Sequence, residues 1–242
     1  MPETILITSG KGGVGKSTVC TMVGTALARQ GSRVLMLETD CGLRSLDVMN
    51  GAQDRAIYDL ADVLMGRCEP IRAIVPSSLA EGLYLLPAPN RHTYIPEHSG
   101  LEKLLQGLEE YYDYVLVDCP AGFGRIMEEV LMVAKKGIVV TLPNFICSRD
   151  AAKAGDLLEE AGIPGRLVIN MLPKRFVPTD AVPDLDAVID LTGLQLLGVV
   201  PEDEGMNRSL NAGRPCWGCP ASQAFENIAQ RLRGKEVPLR IC

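Results

Sequence analysis

The sequence predicts an α/β fold in which a mostly parallel β-sheet carries helices on both faces. Short apolar runs alternate along the chain with segments of helical spacing, and these runs are continuously apolar, as strands buried on both faces are. The length of 242 residues fits one domain that buries a large core without disulfide staples. We therefore expect a single domain over residues 1–242, with ligands bound at the carboxyl ends of the strands.

Seven apolar runs rich in Val, Ile and Leu predict the strands. Most of them end at a polar residue, a glycine or a proline, which are the residues that close a strand and open a loop. The predicted strands are Thr4–Thr8, Arg33–Leu37, Gly82–Leu86, Tyr114–Val117, Gly137–Thr141, Leu167–Asn170 and Leu194–Val200.

Eight segments with helical patterns lie between and after these strands. Gly31, Gly66 and Gly162 mark the ends of three of them, since glycine commonly terminates a helix. Residues 171–184 contain three prolines and predict the longest loop. The predicted helices are Ser17–Gln30, Ile57–Met65, Leu101–Tyr111, Ile126–Ala134, Ala151–Ala161, Leu185–Leu191, Glu202–Asn211 and Ser222–Leu232.

Composition excludes several classes of protein. The net charge of −6 provides no bulk field that attracts nucleic acid, so we expect no nucleic-acid partner. No apolar stretch approaches the ~20 residues of a membrane span, and no signal peptide is visible. The eight cysteines are scattered, a pattern typical of free thiols in a cytosolic protein. A cytoplasmic location is therefore the expectation.

The segment Gly10–Ser17 fits the phosphate-binding pattern G-x-x-x-x-G-K-[ST] between a predicted strand and a predicted helix. Its glycines allow backbone N–H groups to face a phosphate, and the start of the helix favours the same anion. Lys16 is expected to contact the β- and γ-phosphates, and Ser17 to bind Mg²⁺. The predicted nucleotide-binding residues of this loop are Gly12, Gly13, Val14, Gly15, Lys16, Ser17 and Thr18.

Acidic residues follow two predicted strands at the same edge of the sheet. Asp40 follows the second strand, and we expect it to orient the attacking water. Asp118 ends an apolar strand, which is a Walker B pattern, and it is expected to hold Mg²⁺ through a water molecule. Glu38 lies beside them and is predicted as a further group near Mg²⁺ or its waters. The expected cofactors are ATP and Mg²⁺.

A second lysine, Lys11, stands inside the loop, and the segment Lys11–Thr18 (KGGVGKST) resembles the deviant Walker A motif of the MinD/ParA ATPases. The resemblance implies a P-loop NTPase of the SIMIBI type that forms an ATP-dependent homodimer. It also implies that Lys11 reaches across the dimer to the partner's ATP, where a cation stabilises developing γ-phosphate charge. Lys11, Lys16 and Asp40 are therefore the predicted catalytic residues. A plain solvated loop lysine is the alternative for Lys11.

Three further segments are similar to the MinD branch of this family: residues 42–47 (GLRSLD), 118–122 (DCPAG) and 199–203 (VVPED). In that branch Asn170 would hydrogen-bond adenine, and the backbone at Pro201 and Asp203 would line the base. Asn170 could alternatively make only a turn at its strand end. The resemblance implies slow, partner-stimulated ATP hydrolysis in cell-division site placement. It also implies division-regulator partners of the MinC and MinE kind, or partners linked to DivIVA.

The resemblance ends near Pro238, where MinD proteins continue into a linker and an amphipathic helix that lies on the membrane. Four residues follow Pro238, whereas an isolated helix needs about 12–15. We therefore expect the C-terminal anchor helix to be absent. Association with the inner face of the cell membrane is left open, through a partner for instance.

The pair Cys216 and Cys219 forms a C-x-x-C motif that the resemblance does not account for. Two ordinary thiols in a loop, a metal or cluster shared by two subunits, and a redox pair are the open interpretations, because two cysteines supply half of a usual ligand set. An iron–sulfur or redox relative that uses this pair is thus one alternative function. The other alternative is a ParA-like DNA partition ATPase, which the acidic charge disfavours.

Overall fold

The computed structural model describes residues 3–41, 44–53, 55–89, 95–108, 110–179 and 182–239. Gly42 and Leu43, which open the segment that resembles MinD after Asp40, lie outside these ranges. Residues 240–242, on which the expectation of an absent anchor helix depends, also lie outside them. No helix in the described ranges is long and apolar enough to cross a membrane.

An eight-stranded sheet forms the centre of the described structure, in the order β3-β4-β2-β5-β1-β6-β7-β8. All neighbouring strands are parallel except β3 and β4, which are antiparallel at one edge. The predicted mostly parallel sheet is thereby confirmed. The strands are β1 Glu3–Thr8, β2 Val34–Glu38, β3 Val75–Pro76, β4 Leu83–Leu86, β5 Tyr114–Asp118, β6 Lys136–Thr141, β7 Gly165–Leu172 and β8 Gln195–Pro201.

Ten helices in the described ranges cover the sheet. They are α1 Lys16–Arg29, α2 Ser45–Met49, α3 Leu60–Leu64, α4 Pro70–Ala73, α5 His98–Leu108, α6 Arg125–Leu131, α7 Phe145–Glu160, α8 Leu185–Thr192, α9 Glu204–Asn211 and α10 Pro220–Leu232. The sequence did not predict the short elements α2, α4 and β3. None of the three has enough residues to show a hydrophobic period of its own.

The two larger apolar cores lie on opposite faces of the sheet, because successive strand residues point to opposite sides. Ile5 and Ile7 of β1 pack into one core with α1, α9 and α10. Leu6 between them packs into the other core with α5, α6 and α7. Both faces are therefore buried, which explains why the strands are continuously apolar in the sequence.

Capping side chains set several helix boundaries that hydrophobic spacing misplaced. Helix α7 begins six residues before the predicted Ala151, at Phe145, because the Asn144 side chain accepts a hydrogen bond from the Cys147 N–H group. Asp59 and Asp62 form a capping box that starts α3 at Leu60 rather than at the predicted Ile57. In both helices a side-chain cap marks the first turn, which hydrophobic spacing alone did not locate.

Candidate nucleotide-binding site

The loop between β1 and α1 has a conformation that depends on its glycines. Gly13 and Gly15 have φ angles of 82° and 87°, and Gly15 is the N-cap of α1. A Cβ atom on Gly15 would lie 2.3 Å from the Asn170 amide nitrogen, closer than any real contact. Glycine is therefore required at position 15 for two reasons: the positive φ angle, and the lack of space for a side chain beside Asn170.

The two lysines of the loop lie in different surroundings. Lys16, the first residue of α1, is buried, and its ammonium group acts electrostatically on Asp40 and Asp118. Lys11, Gly12 and Gly13 are exposed at the outer side of the loop. A phosphate held by the loop would thus meet Lys16 from inside the subunit, while Lys11 is available to another molecule.

Ser17 and Asp118 form the inner wall of the site. The Ser17 hydroxyl donates a 2.6 Å hydrogen bond to Asp118 Oδ2, while Asp118 Oδ1 is buried and has no hydrogen-bond partner. Burial raises the pKa of Asp118 to about 6, against the effects of the Ser17 hydroxyl and Lys16. A hydroxyl beside a carboxylate oxygen without a partner fits Mg²⁺ or its waters, since oxygen ligands suit this hard cation.

Ser45 is a further residue at this wall, and sequence reasoning did not single it out. As the first residue of α2 it donates a 3.2 Å hydrogen bond to the Ser17 hydroxyl oxygen. The segment that carries Ser45 was recognised through its resemblance, but only the tertiary contact shows that its hydroxyl reaches the phosphate loop. Nothing in the spacing of Ser17 and Ser45 predicts that contact.

Glu38 is fully buried at the end of β2, paired in register with Asp118. Its two carboxylate oxygens accept hydrogen bonds from the backbone N–H groups of Leu46 and Ala88, at 2.9 and 3.4 Å. Burial raises its pKa to about 8, although these hydrogen bonds oppose the shift. The contacts connect β2 to α2 and to the segment after β4. A role for Glu38 near Mg²⁺ stays a prediction.

Asp40 lies two residues beyond β2, at the same edge of the sheet as Asp118. Its side chain is half-buried, and burial raises its pKa while the Lys16 ammonium partly offsets that effect. The proximity of Lys16 places Asp40 on the phosphate side of the sheet. The role of this carboxylate in orienting a water molecule stays a prediction.

A narrow cleft beside the phosphate loop joins the residues predicted to bind the base. Thr18, Asn170, Pro201 and Asp203 line it together with Phe225 of α10, which the sequence did not indicate. The Asn170 amide donates a 2.9 Å hydrogen bond to the Val14 carbonyl, tying β7 to the loop. The cleft measures about 20 Å³, and larger hollows lie elsewhere. Its lining includes the residues that the resemblance assigns to the base, and their role in binding adenine stays a prediction.

The backbone around Asn170 and Asp203 explains how these residues face the cleft. Met171 has a left-handed φ of 53°, and the register of β7 against β8 shifts between Ile169 and Leu172. The bulge brings the Asn170 side chain to the loop. The Asp203 side chain caps α9 by accepting a hydrogen bond from Met206 N–H, and the same residue lines the cleft.

The C-x-x-C motif lies apart from the phosphate loop, between α9 and α10. The Cys216 and Cys219 sulfurs are 3.6 Å apart, and both cysteines are free thiols. Within the described ranges no three His, Cys, Asp or Glu side chains lie together as a metal site. One subunit therefore gives this pair no further ligand among those residues.

Comparison with known proteins agrees with the geometry of the site. A family model described as ParA, NUBPL iron-transfer P-loop NTPase, matches residues 1–233. The chain is 41% identical over 250 residues to the septum site-determining protein MinD of Bacillus subtilis (strain 168), covering 100% of this chain and 92% of the relative. It is 35% identical to MinD of Synechocystis, with 98% and 92% covered.

Solved structures of MinD proteins are also similar to this chain. The MinC:MinD cell division protein complex of Aquifex aeolicus superposes with a TM-score of 0.90 at 34% identity, with 99% of each chain covered. MinD of Pyrococcus horikoshii, complexed with Mg-ADP, gives a TM-score of 0.85 at 29% identity, with 96% of each covered. A plasmid partition protein of Borrelia burgdorferi, at 19% identity, shares the fold alone. The chain therefore belongs to the ParA family of P-loop NTPases and, within that family, to the MinD septum site-determining proteins.

Proposed function

We propose that this protein is a Mg²⁺-dependent ATPase that dimerises on binding ATP and takes part in placing the cell-division site. The observation that carries the proposal is the inner wall of the phosphate loop. The Ser17 hydroxyl donates to one oxygen of Asp118, the other oxygen is buried without a partner, and the buried Lys16 acts electrostatically on the same carboxylate. These are the groups that a Mg²⁺-nucleotide requires. The relative from Pyrococcus horikoshii was solved with Mg-ADP, which supports the same ligand here.

In the proposed reaction, water attacks the γ-phosphate of ATP and the products are ADP and phosphate. Mg²⁺ bound at Ser17 and near Asp118 would offset the charge of the phosphates. Asp40 would orient the water, and Lys16 would stabilise the charge that develops on the γ-phosphate oxygens. Asn170 and the backbone at Pro201 and Asp203 would hold adenine.

Dimerisation enters the proposal through Lys11. Its side chain is exposed on the outer side of the loop, whereas Lys16 already occupies the inner side. A cation supplied across an interface typically accelerates phosphoryl transfer by about 10³- to 10⁵-fold. A single subunit would therefore hydrolyse ATP slowly, and partners that favour the dimer would raise the rate.

The proposed partners are division regulators. The relative from Aquifex aeolicus was solved as a MinC:MinD complex, which supports a MinC-like partner for this chain. MinE-like or DivIVA-linked proteins are the proposed regulators of hydrolysis. The proposed location is the cytoplasm, with peripheral association at the inner face of the membrane when a partner or the dimer supplies the contact.

The test compares the variant Lys11→Ala with Lys16→Ala and with Lys103→Ala, an exposed control on α5. Light scattering with ATP or ADP gives the dimer fraction, release of phosphate gives the rate, and sedimentation with anionic vesicles gives membrane binding. We expect Lys11→Ala to bind ADP as tightly as wild type but to lose the ATP dimer and at least 10³-fold in rate.

The variants Lys16→Ala and Lys103→Ala are the reference proteins for this comparison. Lys16→Ala should lose nucleotide binding itself, and Lys103→Ala should behave as wild type. A Lys11→Ala protein that still dimerises and hydrolyses ATP at the wild-type rate would contradict a role for Lys11 across the interface. Stimulation by DNA rather than by vesicles or division proteins, with affinity falling as salt rises, would favour a partition ATPase.

A further inference from the structure

The loop between α9 and α10 holds two thiols in position to react with each other. The Cys216 and Cys219 sulfurs are 3.6 Å apart, so they need to approach by about 1.5 Å to reach the bond length of a disulfide. Gly218 lies between them with a φ of 76°, which makes the tight turn that brings the sulfurs together. Both cysteines are half-buried and remain in contact with solvent.

The two sulfurs have different surroundings. Cys219 is the N-cap of α10, and its sulfur accepts a 3.4 Å hydrogen bond from the Ser222 N–H group. Burial raises the pKa of the Cys216 thiol, and the hydrogen bond with the Cys219 thiol raises it further. Backbone N–H groups at a helix start favour a thiolate. Cys219 is therefore the sulfur placed to attack, and Cys216 the sulfur placed to complete the bond.

Metal binding explains the pair less well than redox chemistry. In the described ranges no third Cys, His, Asp or Glu side chain completes a ligand set around these thiols. Among the other cysteines, Cys20 and Cys119 are fully buried and out of reach of an oxidant in solution. Cytosolic proteins use such accessible, closely spaced thiols for transient, reversible oxidation.

We propose that Cys216 and Cys219 are a thiol modification site that forms a reversible intramolecular disulfide with a small disulfide such as oxidised glutathione. The Cys219 thiolate attacks the oxidant, releasing one glutathione and leaving a mixed disulfide. Cys216 then attacks the Cys219 sulfur and releases the second glutathione. Two cysteine thiols are oxidised and one disulfide is reduced, and the two cysteine protons end on the two glutathione thiols.

The site is connected to the nucleotide pocket through two helices. Helix α10, which Cys219 caps, carries Phe225 into the base cleft. The Trp217 ring lies 3.7 Å beneath the guanidinium carbon of Arg29, the last residue of α1, whose first turn forms the phosphate loop. Disulfide formation would alter the cap of α10 and the position of Trp217. This consequence rests on the proposed function, and we expect oxidation to weaken ADP binding by about threefold to tenfold.

The test exploits the one tryptophan of the chain, Trp217, whose fluorescence reports on this loop alone. Nucleotide-free protein is equilibrated in buffers of increasing oxidised-to-reduced glutathione ratio, its thiols are alkylated, and peptides are identified by mass. We expect the two thiols to disappear together, a peptide with a 216–219 disulfide, quenched fluorescence, and recovery with dithiothreitol. A pair that stays reduced in oxidised glutathione alone, or that yields only mixed disulfides, would overturn the proposal.

Variants distinguish the two steps. Cys216→Ser should accumulate glutathione on Cys219, because the resolving sulfur is missing, and Cys219→Ser keeps a good helix cap and should form no 216–219 disulfide. Cys68→Ser is the matched control and should oxidise as wild type does. Because the thiols are assayed without nucleotide, the result is independent of the ATPase. Normal ATP binding with a thiol pair that never oxidises would overturn this inference alone.

Discussion

Replacing Asp118 by asparagine separates two effects of its carboxylate: the loss of folding stability caused by burying the charge, and the proposed role in binding Mg²⁺. Asp118 is fully buried, and burial raises its pKa from an ordinary value of 3.8 to about 6. That difference, at about 1.4 kcal/mol per pH unit, amounts to about 3 kcal/mol against the folded state at pH 7. Asparagine has the same shape and carries no charge, so it avoids this cost.

Proton binding to Asp118 determines whether this loss of stability grows or shrinks as the pH rises. Between pH 3.8 and about 6 the folded protein binds more protons at Asp118 than the unfolded chain does, so its stability falls as the pH rises through this window. The Asp118→Asn variant lacks this loss. Without nucleotide, its free energy of unfolding relative to wild type should therefore rise by about 3 kcal/mol from about pH 3 to pH 7.

Urea denaturation of both proteins across that pH range measures the difference. An exposed residue of α7, Asp156, provides the matched control as Asp156→Asn, which should show no such trend. The second measurement is ADP affinity with and without Mg²⁺, where Asp118→Asn should lose about 10- to 100-fold of the Mg²⁺ effect. A stability difference that is flat with pH would refute the reasoning from burial. An unchanged Mg²⁺ effect would refute the metal role.

Two further predictions concern the loop and the base cleft. Gly15→Ala should lose more stability and more ADP affinity than Gly13→Ala. Both glycines have a positive φ, but only a Cβ atom on Gly15 would clash, at 2.3 Å from the Asn170 amide nitrogen. Equal losses of stability and ADP affinity, measured by calorimetry, would show that the backbone angle alone matters. Asn170→Ala should lower the free energy of unfolding by about 1–3 kcal/mol, since the Val14 carbonyl loses a buried donor. It should also weaken ADP binding relative to phosphate binding, and unchanged selectivity for adenine would exclude Asn170 from base recognition.

The fold class and the phosphate loop were predictable because their signals are local. The spacing of Gly10–Ser17 between an apolar strand and a helical segment specifies both the backbone path and the chemistry. The alternation of apolar runs with helices likewise specifies a parallel sheet. Helix starts were less predictable, as at Phe145, because a single cap by Asn144 outweighed the apolar spacing.

The sequence by itself determined the sheet, the loop and the residue types that a Mg²⁺-nucleotide needs. Only the tertiary structure decided which of those residues meet. Ser45 contacts Ser17, 28 positions away in the sequence, and Asn170 contacts Val14, 156 positions away. The Glu38 carboxylate accepts a hydrogen bond from the backbone N–H group of Leu46. Contacts of that separation depend on how strands are ordered and where bulges fall, and no period or motif within one segment encodes either.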